Sequence, residues 1–285
     1  MQKQKTMRKT LILTATLLSI VILAFTGCQK TDKDGTGRLL VHITDAPFPI
    51  NLIEEATVTL TKVEVRSDAE SEEHPFLTIF EGSKEFNLLE LRNGVMEELV
   101  DVEIPAGSYN LIRIYVEEAG IVVMDHESYS VKVPSGTQTG IKMFIKPSLQ
   151  VQGGLTSEVI LDFNLEKSFV LKGNMDSPAG IKGFNFKPVI RAVNKSTSGT
   201  IQGVVSDGDN NPLPGVTVSI MLDELVTTST EEDGSYALTG IPEGIYSITA
   251  EHENYTTLTI DELEVVAGNK TVQDIVLEEP LTQSE

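Results

Sequence analysis

The chain has 285 residues, of which 42 are acidic and 22 basic, so its formal net charge is −20. This charge argues against nucleic-acid binding, which needs a basic surface to meet the phosphates. The single cysteine excludes an internal disulfide framework and a cysteine-based zinc site. Because 40% of the residues are apolar, the chain can bury the core of one large or two ordinary domains.

Residues 1–28 have the pattern of an export signal. Four basic residues precede a mainly apolar run over residues 11–25, shorter than the roughly 20 residues that a membrane-spanning helix needs. The run leads into Ala-Phe-Thr-Gly-Cys at 24–28, which resembles the lipobox of bacterial lipoproteins. The resemblance implies cleavage after residue 27 and acylation of the Cys28 thiol, which then holds the protein at a membrane. An ordinary signal peptide with an incidental cysteine is the alternative.

The residues after Cys28 bear on location. Lipoproteins of enteric bacteria that stay at the inner membrane tend to have aspartate next, so Gln29 favours the outer membrane of a Gram-negative cell. The segment with Asp32 and Asp34 resembles the acidic surface-export signals of some Gram-negative lipoproteins, although lysines interrupt it. Whether the protein faces the periplasm or the cell surface therefore stays open. We expect residues 28–36 to be a tether.

Removal of residues 1–27 takes away four basic and no acidic residues, so the net charge of the mature chain is −24. We expect these acidic residues to form a solubilising surface rather than a cation site.

The mature chain shows the period-two alternation of β-strands. Apolar and polar side chains alternate over residues 112–116, 129–133 and 159–165. The alternation slips by one residue between Leu60 and Val63, which predicts a β-bulge or a strand that changes sheets. Residues 87–100 have the one helical pattern, but Gly94 in their middle favours a short helix or an irregular strand pair.

A polar segment of small residues, 194–199, predicts a linker between two domains. The net charge is −8 over residues 29–198 and −16 over residues 199–285. The motif Ile-Pro-x-Gly-x-Tyr occurs on both sides of the segment, at 104–109 and at 241–246. Proline fixes φ, glycine permits a positive φ, and the tyrosine can pack its ring while its hydroxyl reaches the backbone. This combination is typical of the corner where a sandwich strand begins, so it predicts two tandem β-sandwiches.

The second half contains a series of four characteristic segments: Gly203-Val204-Val205, Asn211-Pro212-Leu213-Pro214-Gly215-Val216-Thr217-Val218, Glu232-Asp233-Gly234-Ser235-Tyr236 and Ile241-Pro242-Glu243-Gly244-Ile245-Tyr246. On these segments residues 200–278 resemble the carboxypeptidase regulatory-like domain, a prealbumin-like sandwich of seven strands related in architecture to immunoglobulin domains. In zinc carboxypeptidases this module only accompanies a catalytic domain, so the resemblance carries over no catalytic residue. Residues 279–285 are then an acidic tail.

The first half contains an ordered series of segments: Gly37-Arg38-Leu39-Leu40, Thr44-Asp45-Ala46-Pro47, Leu88-Leu89-Glu90-Leu91, Pro105-Ala106-Gly107-Ser108-Tyr109, residues 133–142, Leu161-Asp162-Phe163 and Phe186-Lys187-Pro188-Val189-Ile190. On this series residues 37–193 resemble a bacterial lipoprotein domain of unknown function, the family numbered 4382. The resemblance implies an exported all-β domain, often joined to small sandwich modules, and it implies no known activity.

No catalytic motif is present. The sequence lacks an HExxH pair, a GxSxG elbow and a glycine-rich phosphate loop, and lipid would consume the thiol of Cys28. We expect each histidine to be packed on a strand or solvated rather than to bind metal: His42, His74, His126 and His252. The sequence therefore predicts no catalytic residue, no cofactor and no metal. A hydrolase with an unrecognised site is the enzymatic alternative.

Two weaker groups of residues leave alternatives open. Residues 207–211 begin like a calcium loop, but Val218 stands where the bidentate acid belongs, and a hairpin turn is the simpler interpretation. Whether calcium binds there stays open. The second group could form buried pairs, a ligand pocket or solvated strand faces: Asp45, Arg113, Lys142, Asp162 and Arg191.

These observations predict a non-enzymatic cell-envelope lipoprotein that acts as a binding, adhesion or assembly module, with an unknown envelope protein or glycan as partner. A glycan- or nutrient-binding accessory of an outer-membrane transport system is the alternative. Sugar sites commonly stack sugars on flat aromatic rings. The chain has no tryptophan, Tyr129 and Tyr255 are among few surface candidates, and the phenylalanines sit mostly in strand patterns typical of core, which lowers the glycan expectation.

Overall fold

The computed structural model describes residues 35–46, 52–68, 76–124, 127–133, 139–174 and 180–280. The signal peptide, Cys28, Gln29, His74 and His126 lie outside these ranges. Strands dominate the described residues, with short helical turns at Leu88–Leu91, Leu165–Ser168 and Lys195–Thr197. The predicted all-β class is therefore confirmed. The described ranges hold no helix with the length and apolar character needed to cross a membrane.

The first domain is built from strands β1 (Thr36–Ala46), β2 (Ile53–Ser67), β3 (Leu77–Asn87), β4 (Glu97–Pro105), β5 (Gly107–Val123), β6 (Glu127–Val131), β7 (Ile141–Val151), β8 (Thr156–Asn164), β9 (Phe169–Gly173), β10 (Ile181–Phe186) and β11 (Ile190–Asn194). Hydrogen-bonded neighbours follow the order β3-β2-β5-β7-β11-β8-β1-β4, with β6 on β5 and a separate β9–β10 pair. The strands β7 and β11 meet in parallel at Ile145 and Ala192. This seam joins two layers, which enclose one apolar core.

The alternation read from the sequence is visible in the burial of the first domain. Ile112, Ile114 and Val116 of β5 are buried, whereas Arg113 and Tyr115 between them are partly exposed. The predicted bulge is confirmed, because the pairing of β2 with both of its neighbours shifts register between Leu60 and Lys62. Residues 87–100 contain the short helix Leu88–Leu91 and the start of β4, and Gly94 between them has a φ of 79°.

The second domain comprises β12 (Ser198–Asp207), β13 (Thr217–Met221), β14 (Leu225–Ser229), β15 (Ser235–Pro242), β16 (Gly244–Glu251), β17 (Leu258–Val265), β18 (Lys270–Val272) and β19 (Ile275–Leu277). One sheet runs β15-β12-β18 with β19 also on β12, and the other runs β14-β13-β16-β17. Both β18 and β19 pair with β12 in parallel, so they act as one edge strand interrupted at 273–274. The two sheets enclose a second apolar core.

The predicted sandwich corners are present in both domains. The Tyr109 hydroxyl donates to the carbonyl of Pro105 at 2.9 Å, and the Tyr246 hydroxyl donates to the carbonyl of Pro242 at 3.0 Å. Each bond ties the start of β5 or β16 to the end of the preceding strand. The tyrosine role predicted from the repeated motif is thereby confirmed.

The polar segment at 194–199 is an ordered turn. The strand β11 ends at Asn194, and β12 begins at Ser198 after the helical turn Lys195–Thr197. The Asn194 side chain is buried, accepts the Ser196 amide at 3.1 Å and donates to the Pro147 carbonyl at 3.3 Å. Only the three residues Lys195–Thr197 therefore separate the last strand of the first domain from the first strand of the second.

Candidate binding cleft between the two domains

Asn93 joins the two domains. Its amide nitrogen donates to Glu231 at 2.6 Å, and its side-chain oxygen accepts the Thr228 hydroxyl at 2.8 Å. The neighbouring Arg92 lies 3.3 Å from the same Glu231 carboxylate. Asn93 has a φ of 54°, a left-handed conformation that asparagine tolerates better than most residues. The turn between the first-domain helix and β4 is thus held against β14 of the second domain.

Arg191 makes a second connection between the domains. It pairs with Asp162 at 2.6 Å and donates to the carbonyls of Thr239 and Gly240 at 3.4 and 3.3 Å. Gly240 has a φ of 70°, and a Cβ at this position would lie 3.2 Å from both methyl groups of Val193. A side chain at residue 240 would press on the Val193 side chain, so the packing of these two residues depends on this glycine.

A cleft of about 590 Å³ opens beside Arg191, between the domains. The first domain contributes Lys142, Phe144 and Lys146, which we call the lysine wall. The second domain contributes Asp223 and Glu224, which we call the acidic wall. Met221 and the Tyr246 ring also line the second-domain side. Apolar, cationic and anionic groups thus face one concave space, which is the usual make-up of a small-ligand site.

The phase of β7 produces the lysine wall. Met143 and Ile145 point into the core, so Lys142, Phe144 and Lys146 share the outer side of the strand. Phe144 is 62% exposed, an exception to the expectation that most phenylalanines in strand patterns belong to the core, which holds for Phe86, Phe163, Phe169, Phe184 and Phe186. Within the part of the chain that the structure describes, neither lysine has an ion-pair partner.

The acidic wall lies in the short turn between β13 and β14. The Leu222 amide donates to the Glu224 carbonyl at 3.0 Å, which closes the turn. Glu224 lies 3.7 Å from Lys167 of the first domain, a long, exposed pair that contributes little to stability. Met221, just before the turn, is 64% exposed.

A second, smaller cleft of about 330 Å³ lies elsewhere along the domain junction. Its lining is largely polar and includes Thr200, Asn269 and Lys270. Lys195 also lines it, but pairs with Glu158 at 2.6 Å. The cleft lacks the exposed aromatic ring of the larger one.

Glu64 is the most deeply buried charged side chain of an ion network on the outer face of β2. It lies 2.6 Å from Lys62 Nζ and accepts Arg113 Nε at 2.6 Å and the Tyr115 hydroxyl at 3.1 Å. The Phe76 ring covers Arg113, with 3.6 Å between the ring centroid and Cζ. Burial raises the pKa of Glu64, but the hydrogen bonds from Lys62, Arg113 and Tyr115 outweigh it and hold the pKa below its usual range. This network could not be predicted from the sequence, since an outward polar residue in a strand carries no signal of burial.

The structure does not gather the five charged residues singled out from the sequence into one site. Asp162 pairs with Arg191 at the domain junction, whereas Arg113 belongs to the Glu64 network. Lys142 lies next to Arg113 across the β5–β7 ladder and lines the larger cleft. Asp45 accepts the backbone amide of Leu165 at 3.2 Å. The group thus divides between paired and cleft-lining residues and forms no single pocket.

Residues 207–211 form a turn. The Asp207 carboxylate accepts the amides of Asp209 and Asn211 at 2.9 and 2.8 Å and the Asn211 side-chain amide at 2.9 Å. The hydrogen bonds from Asn211 hold the pKa of Asp207 below its usual range. The hairpin-turn interpretation is confirmed. In the described ranges, no group of three or more His, Cys, Asp or Glu side chains is placed to hold a metal ion.

The two histidines in the described ranges, His42 and His252, each contact another side chain of the protein. His42 lies on β1, with Nε2 3.2 Å from Glu158 Oε2. The His252 ring meets the Tyr255 ring edge-on, with 5.3 Å between the centroids.

Fold and cleft together define a two-domain, all-β protein with a concave site at the domain junction. A family model for a domain of unknown function, DUF4382, matches residues 36–188, and the carboxypeptidase regulatory-like domain matches residues 200–278. The first match covers more than half of the chain, so the protein belongs to the DUF4382 family. Both resemblances drawn from the sequence are confirmed in the predicted order. No curated protein matches.

Solved structures are only distantly similar. BcpA, the major pilin subunit of Bacillus cereus, is 13% identical with a TM-score of 0.25, covering 86% of this chain and 71% of its own. The minor pilin GBS52 of Streptococcus agalactiae is 10% identical with a TM-score of 0.26, covering 86% and 98%. The 3-chlorocatechol 1,2-dioxygenase of Rhodococcus opacus 1CP is 14% identical with a TM-score of 0.25, covering 30% and 61%. This chain thus spans less than two thirds of the length of the dioxygenase. TM-scores as low as these establish no shared function.

Proposed function

We propose that this protein is a non-enzymatic binding module of the bacterial cell envelope, held at the outer membrane by lipid on Cys28, and that the interdomain cleft receives its partner. The observation that carries the proposal is the exposed apolar surface of the cleft, where Phe144 and Met221 are 62% and 64% exposed. Large apolar side chains left exposed around a concave, partly charged space mark interaction sites.

Lipid attachment is tested in a Gram-negative host that expresses the full chain. The lipobox-like segment at 24–28 supports acylation, and two or more acyl chains give stable anchoring. We expect the wild-type chain to incorporate labelled fatty acid and to sediment with the outer membrane, whereas Cys28→Ser incorporates none. An unlabelled wild-type chain would contradict the anchor and leave the role of the cleft untouched.

The role of the cleft is tested by affinity capture from envelope extracts. The bait is the full chain carrying Cys28→Ser, with and without Phe144→Ala and Met221→Ala. A control bait carries Val272→Ala and Val276→Ala, which truncate side chains that are 65% and 48% exposed outside the cleft. We expect the reference and control baits to enrich the same protein or glycan and the cleft variant to lose it. Equal capture by all three baits would contradict the proposal.

A glycan- or nutrient-binding accessory role is the second candidate. The two aromatic rings that line the cleft, Phe144 and Tyr246, favour it, because such rings offer flat apolar faces for sugar rings.

A further inference from the structure

We infer that the ligand of the interdomain cleft is an acidic glycan, an oligosaccharide whose sugar rings carry carboxylates. The inference rests on the proposed function of the cleft as a binding site. It goes further by naming the chemical class that the two walls of the cleft would recognise.

The lysine wall supplies the charge. Side chains two residues apart on one face of a strand are separated by about 7 Å, so Lys142 and Lys146 leave β7 on either side of Phe144. Arg191 nearby is already engaged by Asp162, whereas the two lysines have no ion-pair partner in the described chain. In a protein with a net charge of −20, the lysine wall is a local patch of positive charge on one side of the concave space. Such a wall attracts carboxylates.

The exposed ring supplies the platform. Pyranose rings have an apolar face of C–H groups, and an aromatic ring buries that face with little loss of side-chain entropy. Phe144 lies between the two lysines, so a ring stacked on it would place an attached carboxylate within reach of an ammonium group. Tyr246 presents a second ring from the other domain.

The acidic wall favours a glycan over an acidic peptide. It repels the carboxylates of both ligands, but a glycan also carries hydroxyls that can donate to the carboxylates of Asp223 and Glu224, and acidic peptide side chains have no such donors. A peptide could also bind by adding a strand to a sheet edge. The β7 strand offers no such edge, because β5 and β11 already flank it. The cleft volume of about 590 Å³ suits a short oligosaccharide segment.

The experiment is calorimetric titration of the full chain carrying Cys28→Ser. The probes are oligogalacturonate, alginate oligosaccharide, the methyl-esterified galacturonate oligomer and an oligoglutamate. We expect at least one acidic glycan to bind, about tenfold or more tighter than the esterified oligomer, with an affinity that falls as salt rises. Oligoglutamate should bind more weakly than that glycan.

Variants locate the site. Lys142→Gln with Lys146→Gln, and separately Phe144→Ala, should each weaken the binding of that glycan about tenfold or more. The control is Lys182→Gln with Lys187→Gln, which removes the same charge from exposed first-domain positions outside the cleft and should leave affinity unchanged.

Three results would overturn the inference: no binding of either acidic glycan, equal binding of the esterified oligomer, or stronger binding of oligoglutamate. Each is distinguishable from failure of the proposed function, since the capture experiment would still enrich a partner that depends on Phe144 and Met221.

Discussion

Tyr109 and Tyr246 lie in different domains, yet each hydroxyl donates to the proline carbonyl four residues earlier. We expect Tyr109→Phe and Tyr246→Phe each to lower the free energy of unfolding by about 1 kcal/mol, the usual contribution of one partly buried hydrogen bond. Urea denaturation of the full chain measures this. Tyr255→Phe is the control, because no hydrogen bond of its hydroxyl occurs in the described chain. A loss as large in the control would contradict the role of the corner bond.

Glu64 is a buried carboxylate whose partners remain partly exposed. We expect Glu64→Gln to lower the free energy of unfolding by about 2 kcal/mol at neutral pH, because Lys62 and Arg113 lose a buried counter-charge but keep contact with water. Chemical denaturation measures the loss. Glu85→Gln, at an exposed position on the neighbouring strand, should be nearly neutral. A fully stable Glu64→Gln protein would show that the network adds nothing to stability.

The same residue predicts a pH dependence. Since the pKa of Glu64 is lowered in the folded protein, its stabilising effect is complete above the ordinary pKa of 4.5 and is lost as pH falls through the folded value. The stability difference between wild type and Glu64→Gln should therefore be constant above about pH 5.5 and shrink below pH 4. Denaturation at a series of pH values measures it, and a difference that grows on acidification would refute the assigned direction.

At the scale of elements, the parallel edge strand of the second domain depends on Gly203. A Cβ at this position in β12 would overlap the carbonyl oxygen of Gln273, between β18 and β19. We expect Gly203→Ala to lower the free energy of unfolding by about 1–3 kcal/mol, because the edge strand must move away. Gly208→Ala is the matched control, since a Cβ there meets nothing within 4 Å. Thermal unfolding compares the two, and equal midpoints would be inconsistent with this packing.

The strand and turn chemistry of the elements was largely predictable. Alternation predicted the buried face of β5, the phase slip predicted the bulge at Leu60, and the repeated motif predicted both corners. These features depend on residues close together in the chain. The interrupted edge formed by β18 and β19 was not predictable, because each is only three residues long and is defined by its pairing with distant β12.

At the scale of the whole molecule, Asn93 holds the two domains together. Asn93→Gly removes both side-chain bonds while glycine keeps the left-handed backbone. We expect faster amide hydrogen exchange in residues 92–96 and in β14, because the junction opens more often. The matched control is Asn210→Gly. Asn210 also has a left-handed backbone, with a φ of 64°, but it lies in the turn at 207–211, away from the junction. Equal effects of both variants would contradict a junction role for Asn93.

The sequence by itself determined the all-β class, the two family segments and the corner tyrosines, and it predicts an export signal with a lipid site at Cys28. Each of these depends on local chemistry, such as side-chain alternation, turn residues and short motifs. Tertiary structure alone decided the cleft. It brings Phe144, Tyr246, Lys142 and Asp223 into the lining of one cleft, although these residues are distant in sequence. Only the phase of β7 against the core turns Phe144 outward, and only the docking of the second domain turns that exposed ring into one side of a site.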